Sequence, residues 1–147
     1  MKILELDLLA FGPFTDTKLD LSGGREGLHL IHGPNEAGKT SALRGLRNAL
    51  FGFPLRTPDA FLHPYAKLRI GMTLRASDGK TLRFVRRKGA KGNTLQAADG
   101  GRGLSENDLA RMLNGLSEPE FSSRFAIDHH DLIQGGQPIL SERGELG

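Results

Sequence analysis

The chain of 147 residues, 37% hydrophobic and 25% charged, can bury one modest core and is too short for two large domains. No apolar run approaches the roughly 18 to 20 residues that cross a bilayer, Glu5 and Asp7 interrupt the start where a secretory leader must be apolar, and cysteine is absent, so a membrane span, a disulfide scaffold and a thiolate site are excluded and a cytoplasmic protein is expected. The net charge of +3 is uneven: residues 1–55 balance, 56–102 carry +8 and 103–147 carry −5, so a basic middle either faces a polyanion or complements the acidic end.

Leu4, Leu6, Leu8 and Ala10 alternate with Glu5 and Asp7, the period-two pattern of a half-buried strand, which Gly12-Pro13 breaks. A second strand is predicted from Phe14 to Leu21, closed by Ser22-Gly23-Gly24. Leu28, Leu30 and Ile31 read as a short third strand aimed at a glycine-rich loop. From Ser41 to Leu50, the residues Ala42, Leu43, Leu46, Ala49 and Leu50 follow the spacing of an amphipathic helix, which Gly52 and Pro54 stop. Residues 54–67 hold three prolines and read as an irregular connection. Leu68, Ile70, Met72 and Leu74, the turn Ser77-Asp78-Gly79-Lys80, and Leu82 to Arg86 make a hairpin, with a weaker strand over Thr94 to Ala97. Two short helices follow. One is capped by Ser105 and Asp108, runs through Leu109, Met112 and Leu113 and stops at Gly115; the other is capped by Ser117 and Glu120, with Pro119 in its first turn, and runs through Phe121 and Phe125.

Glycine, with 20 residues, is about double its usual share of roughly 7%, so many backbone positions need turns or close approach. Gly33-Pro34-Asn35-Glu36-Ala37-Gly38-Lys39-Thr40 satisfies G-x-x-x-x-G-K-[ST], between a predicted strand and a predicted helix, which is the context a phosphate-binding loop requires. Successive backbone N–H groups must converge on phosphate oxygens at a helix amino terminus, and side chains would obstruct them, hence the glycines. Lys39 supplies a point charge for the β- and γ-phosphates and is a candidate catalytic residue, while the Thr40 hydroxyl suits one Mg²⁺ coordination position. Gly33, Pro34, Asn35, Glu36, Ala37, Gly38, Lys39, Thr40 and Ser41 are the candidate ATP-binding residues.

The segment Leu28 to Gly52, with the run GPNEAGKTSALRGLRNALFG, resembles the amino-terminal ATPase lobe of the YhaN-like proteins, in the SMC and RecF group of AAA/ABC-type ATPases. The resemblance extends over Ala10-Phe11-Gly12-Pro13-Phe14, Asp59-Ala60-Phe61-Leu62-His63-Pro64-Tyr65 and Phe125 to Gly136. It implies an α/β P-loop NTPase fold, the N-terminal lobe of an ABC/SMC-type head with an antiparallel hairpin or meander, spanning 1–147. Residues 1–55 would hold strands, phosphate loop and helix, 56–102 the basic hairpin, and 103–147 a helical segment. The resemblance further implies ATP and Mg²⁺ as ligands, the C-terminal half of the same head as partner, head-to-head dimerisation, and coupling of hydrolysis to DNA handling or repair beside a partner nuclease. In that group a glutamine touches Mg²⁺ and the attacking water; Gln134 looks like it, against the plainer reading of a polar residue before the Gly135-Gly136 turn. Two departures stand out. Gly12 replaces a basic residue that some relatives use to hold nucleotide, and Glu36 puts an acid where many have glycine, so Glu36 is expected to point away from phosphates.

Hydrolysis in this class also needs a Walker B acidic pair and a Ser-Gly-Gly signature loop. Leu21-Ser22-Gly23-Gly24 spells the signature but precedes the phosphate loop, and reads as a turn. Phe125-Ala126-Ile127-Asp128 is too short for a Walker B strand, and Asp128-His129-His130-Asp131 reads as a loop rather than a metal site. The isolated lobe is therefore expected to be hydrolytically silent. Arg83, Arg86, Arg87, Lys88 and Lys91 are either a nucleic-acid contact or a solvated strand face. A non-catalytic nucleotide- or nucleic-acid-binding module and a P-loop kinase are the alternatives; no acceptor pocket or arginine-rich lid for the latter is identifiable.

Overall fold

The computed structural model describes residues 1–23, 28–89, 92–98 and 104–125. Strands β1 (Lys2–Phe11), β2 (Phe14–Asp20), β3 (Arg69–Arg75), β4 (Thr81–Gly89) and β5 (Gly92–Ala97) form one antiparallel sheet in the order β2-β1-β3-β4-β5. Leu6 pairs with Met72, Met72 with Phe84, and Leu74 with Leu82, so the period of two puts these apolar side chains on a common face. Helix α1 (Lys39–Phe51) covers that face: Ala42, Ala49 and Leu50 are buried with Leu6, Leu8, Phe11, Ile70, Met72, Leu74 and Phe84, and Leu8 and Phe11 abut the helix at Gly45.

The carboxyl end of α1 is closed by a strand residue. Arg86, only 1% exposed, donates from Nε to the Ala49 carbonyl at 2.8 Å and from Nη2 to the Leu50 carbonyl at 3.3 Å. Its fork also grips both Glu106 carboxylate oxygens, the Nη2 contact being 2.9 Å. The guanidinium thus satisfies carbonyls that the last helical turn leaves orphaned and meets the negative end of the helix dipole.

The opposite face of the sheet is polar. Lys18 bonds Glu5 at 2.6 Å, Thr73 Oγ1 donates to Glu5 at 2.9 Å, and Arg83 lies 3.9 Å from both Glu5 and Asp7. The Glu5 carboxyl is held below its ordinary value, first by the Lys18 hydrogen bond and then by Thr73.

The chain divides into two units, Met1–Gly115 and Leu116–Gly147. The first includes α2 (Glu106–Met112), with Leu109 and Leu113 buried; the described part of the second is α3 (Glu118–Arg124), in which the Phe121 and Phe125 rings lie 6.1 Å apart. Both helices start in complete capping boxes, Ser105 with Asp108 and Ser117 with Glu120, as their spacing predicts. The expected turn at Ser22-Gly23-Gly24 lies partly outside the described residues; at its start Asp20 Oδ1 accepts both the N–H and the O–H of Ser22.

Two expectations need correction. The predicted strand over Leu28 to Ile31 does not form among the described residues: Leu28 is 93% and Leu30 85% exposed, and no strand pairs with them. Apolar residues state what a segment would bury; a strand also needs a neighbour to bond to. The basic stretch is not one surface. Alternation in β4 turns Arg86 and Lys88 toward the α1 side, where Arg86 is internal and Lys88 Nζ donates to the carbonyls of Pro54 at 2.6 Å and Leu55 at 3.1 Å. Arg83 and Arg87 are left on the polar face; Lys91 lies outside the described residues.

Candidate functional site

Helix α1 begins without a side-chain cap and with no acid in its first turn, unlike α2 and α3. Its first intrahelical bond runs from the Ala42 N–H to the Gly38 carbonyl at 2.8 Å. The N–H groups of Lys39, Thr40 and Ser41 precede that bond, point out along the axis, and sit at the positive end of the helix dipole.

The loop before the helix curls over this end. Ala37 N–H bonds the Pro34 carbonyl at 3.3 Å, and both Glu36 (φ 66°) and Gly38 (φ 87°) are left-handed, an alternation that turns successive amides toward one side. Lys39 Nζ donates to the carbonyls of Gly33 and Pro34, each at 2.7 Å, so the ammonium sits in the mouth of the loop. Those bonds use two of its three donors and leave one for an anion. Glu36 is exposed and forms no ion pair among the described residues. At Gly38 a side chain must displace its neighbours: a Cβ would stand 2.6 Å from Phe14 Cζ and 3.0 Å from Pro13 Cγ. The β1–β2 turn therefore leans directly on the last glycine of the loop.

A buried carboxylate ties that turn to the helix. Asp59, with no exposed surface, accepts from Arg44 Nε at 2.8 Å on Oδ2 and from Arg44 Nη2 at 2.6 Å on Oδ1, with Thr57 Oγ1 at 3.4 Å from Oδ2. Arg44 Nη2 also donates to Ser41 Oγ at 3.0 Å. The Asp59 carbonyl accepts from the Gly12 N–H at 2.9 Å, and a Cβ on Gly12 would stand 3.3 Å from both Asp59 Oδ1 and Ser41 Cβ. The hydrogen bond to Asp59 raises the Arg44 guanidinium further above its ordinary value, against the opposing effect of burial. Four residues further on, His63 Nε2 lies 2.9 Å from the Phe14 carbonyl and 3.0 Å from Thr15 Oγ1, fixing the connection against β2. Tyr65, in a single 3₁₀ turn, bonds the Thr57 backbone and lies 5.2 Å beneath Lys88 Nζ.

The residues Gly33 to Ser41 that the sequence singles out are thus gathered at one helix end. Gln134, with Asp128 to Asp131, lies outside the described residues, and among those described no group of three His, Cys, Asp or Glu side chains could hold a metal ion. Asp59 and His63 fall in the segment Asp59 to Tyr65 that carries the family resemblance, but no role attaches to either there, and nothing in the sequence marks Arg44 or Thr57: a helical arginine and a loop acid 15 positions apart carry no shared pattern.

Free amides at a helix start, an ammonium with a spare donor and an exposed Thr40 hydroxyl can bind a polyvalent anion and, through the hydroxyl, a hard cation attached to it. A family model for the AAA domain matches residues 1–147. No curated protein matches the chain.

Proposed function

Because the chain belongs to the AAA domain family, an ATP-binding, ATPase-type module, we propose that residues Gly33 to Ser41 are where it holds the nucleotide. The observation that carries this reading is the open amino terminus of α1 with Lys39 Nζ already drawn into the loop mouth. The donor set fits a triphosphate. Backbone amides of the loop and of the first helical turn would receive phosphate oxygens, Lys39 would add its remaining N–H, and Glu36, on the exposed rim, adds no buried negative charge. The Thr40 hydroxyl would hold Mg²⁺, which, when bound, draws negative charge off the phosphate oxygens. Gln134 is the proposed second contact to Mg²⁺ and to water.

In the full-length protein we assign the chain to the N-terminal lobe of an SMC-like head, whose C-terminal half and head-to-head dimer complete the hydrolytic set. The exposed apolar residues Leu28, Leu30 and Ile31, directly before the loop, support it, since they make a short apolar segment with no strand neighbour among the described residues. DNA handling is the accompanying role. The polar sheet face favours it, because strand register sets Arg69 opposite Arg87 and Lys2 opposite Arg75 without acids opposite them. Like charges in direct register repel, and a phosphate backbone would relieve both pairs.

Calorimetry with ATP and Mg²⁺ tests the first reading. The chain binds, Lys39→Ala weakens binding about 10- to 100-fold, the worth of a hydrogen bond to a charged group, and neither shows multiple turnover. No binding at millimolar ATP, or equal binding by Lys39→Ala, overturns it; turnover abolished by Lys39→Ala would show that the catalytic set is complete in this chain. DNA binding that falls steeply with salt and weakens in Arg69→Ala/Arg87→Ala supports the second role; no affinity at low salt removes it.

A further inference from the structure

The Ser41 hydroxyl has an unusual hydrogen-bond state. An arginine N–H can only donate, so the 3.0 Å contact from Arg44 Nη2 occupies a lone pair of Ser41 Oγ and leaves its single proton for another acceptor. A helical serine commonly gives that proton to the carbonyl three or four residues back, here Gly38 or Ala37, yet Ser41 Oγ makes no such bond among the described residues. A donor is therefore held in reserve on the first turn of α1, beside the uncapped amides. It is set by Arg44, and Arg44 is set by both oxygens of Asp59, which is wholly buried and whose charge offsets that of the guanidinium. Because the pair is neutral as a unit, what it contributes at the helix start is direction more than field.

Resting on the reading of Gly33 to Ser41 as the nucleotide cradle, we propose that Arg44 and Asp59 are positioning residues that orient the Ser41 O–H as a hydrogen-bond donor to a nucleotide phosphate. Donation from a guanidinium polarises the hydroxyl and strengthens its own outward bond. The same Asp59 holds the Gly12 N–H through its carbonyl, so the β1–β2 turn and the Ser41 donor are set by one residue.

Lysine at position 44 keeps the charge and helical propensity but loses the fork that reaches Asp59 and Ser41 together. The test is a double-mutant cycle on ATP–Mg²⁺ affinity with Ser41→Ala, Arg44→Lys and the pair, each variant's urea midpoint measured alongside. Ser41→Ala is expected to weaken binding about tenfold and Arg44→Lys by a similar factor, while the double variant is no weaker than Ser41→Ala alone. Asp59→Asn, if folded, should behave as Arg44→Lys. Independent, multiplying losses mean that Arg44 supports the fold only, and they overturn the relay, as does an Arg44→Lys variant with wild-type affinity. Wild-type protein that fails to bind ATP removes the cradle reading instead; wild-type binding lost in Lys39→Ala but insensitive to Arg44→Lys removes the relay alone.

Discussion

Gly38→Ala isolates the close approach on which the site's geometry depends. Gly38 has φ 87° and its Cβ position is 2.6 Å from Phe14 Cζ; Gly79, in the β3–β4 turn, has φ 86° and nothing within 4 Å. Alanine at either position incurs the same left-handed backbone cost of about 1–2 kcal/mol, partly offset by about 0.4–1 kcal/mol from a less flexible unfolded chain. Gly79→Ala should thus destabilise by about 0 to 1.6 kcal/mol. Gly38→Ala must also push back an aromatic ring and a proline, an overpacking cost of about 1–3 kcal/mol. In urea, with a slope of about 1–3 kcal/mol per molar, the Gly38→Ala midpoint should lie roughly 1 M below that of Gly79→Ala. ATP affinity should fall in the first variant and not in the second, because only the first displaces the β1–β2 turn from the loop. Equal midpoints would mean that Phe14 does not rest on Gly38, and the described site geometry would be wrong.

Arg86→Leu should destabilise the chain by about 3 kcal/mol or more in denaturant titration, because it strands the Ala49 and Leu50 carbonyls, whereas Glu106→Gln, on the exposed side of the pair, should cost about 1 kcal/mol; the reverse order would refute the role assigned to Arg86. Glu5, whose folded carboxyl is held below its ordinary value of 4.5 by Lys18 and then Thr73, stabilises the fold above that pH, and the contribution is lost as pH falls through the lowered folded value. Glu5→Gln should therefore flatten the acid limb of a stability–pH curve and leave its neutral-to-alkaline shape intact. Glu36→Gly should relieve a left-handed residue by roughly 1 kcal/mol and keep or tighten ATP binding measured by calorimetry; lost binding would show that the Glu36 side chain takes part in the site.

Local chemistry was enough to read much of this protein. Alternation at Leu4, Leu6 and Leu8 and at Ile70, Met72 and Leu74, the Ser-Asp and Ser-Glu capping boxes and the Asp78-Gly79 turn all act within a few residues of themselves, so their outcome is written in order along the chain. What tertiary structure alone decided is which partners those elements met. Leu28 to Ile31 is apolar enough for a short strand yet pairs with nothing among the described residues, because pairing belongs to the neighbour and not to the segment. Arg86 and Arg87 are adjacent in sequence and opposite in fate, one buried under a helix end and the other in solvent, because the pleat sends them to different faces and only one face is covered. Asp59 and Arg44 become a pair only when the connection folds back over α1, since a charge in the sequence names no partner until burial removes water as the alternative.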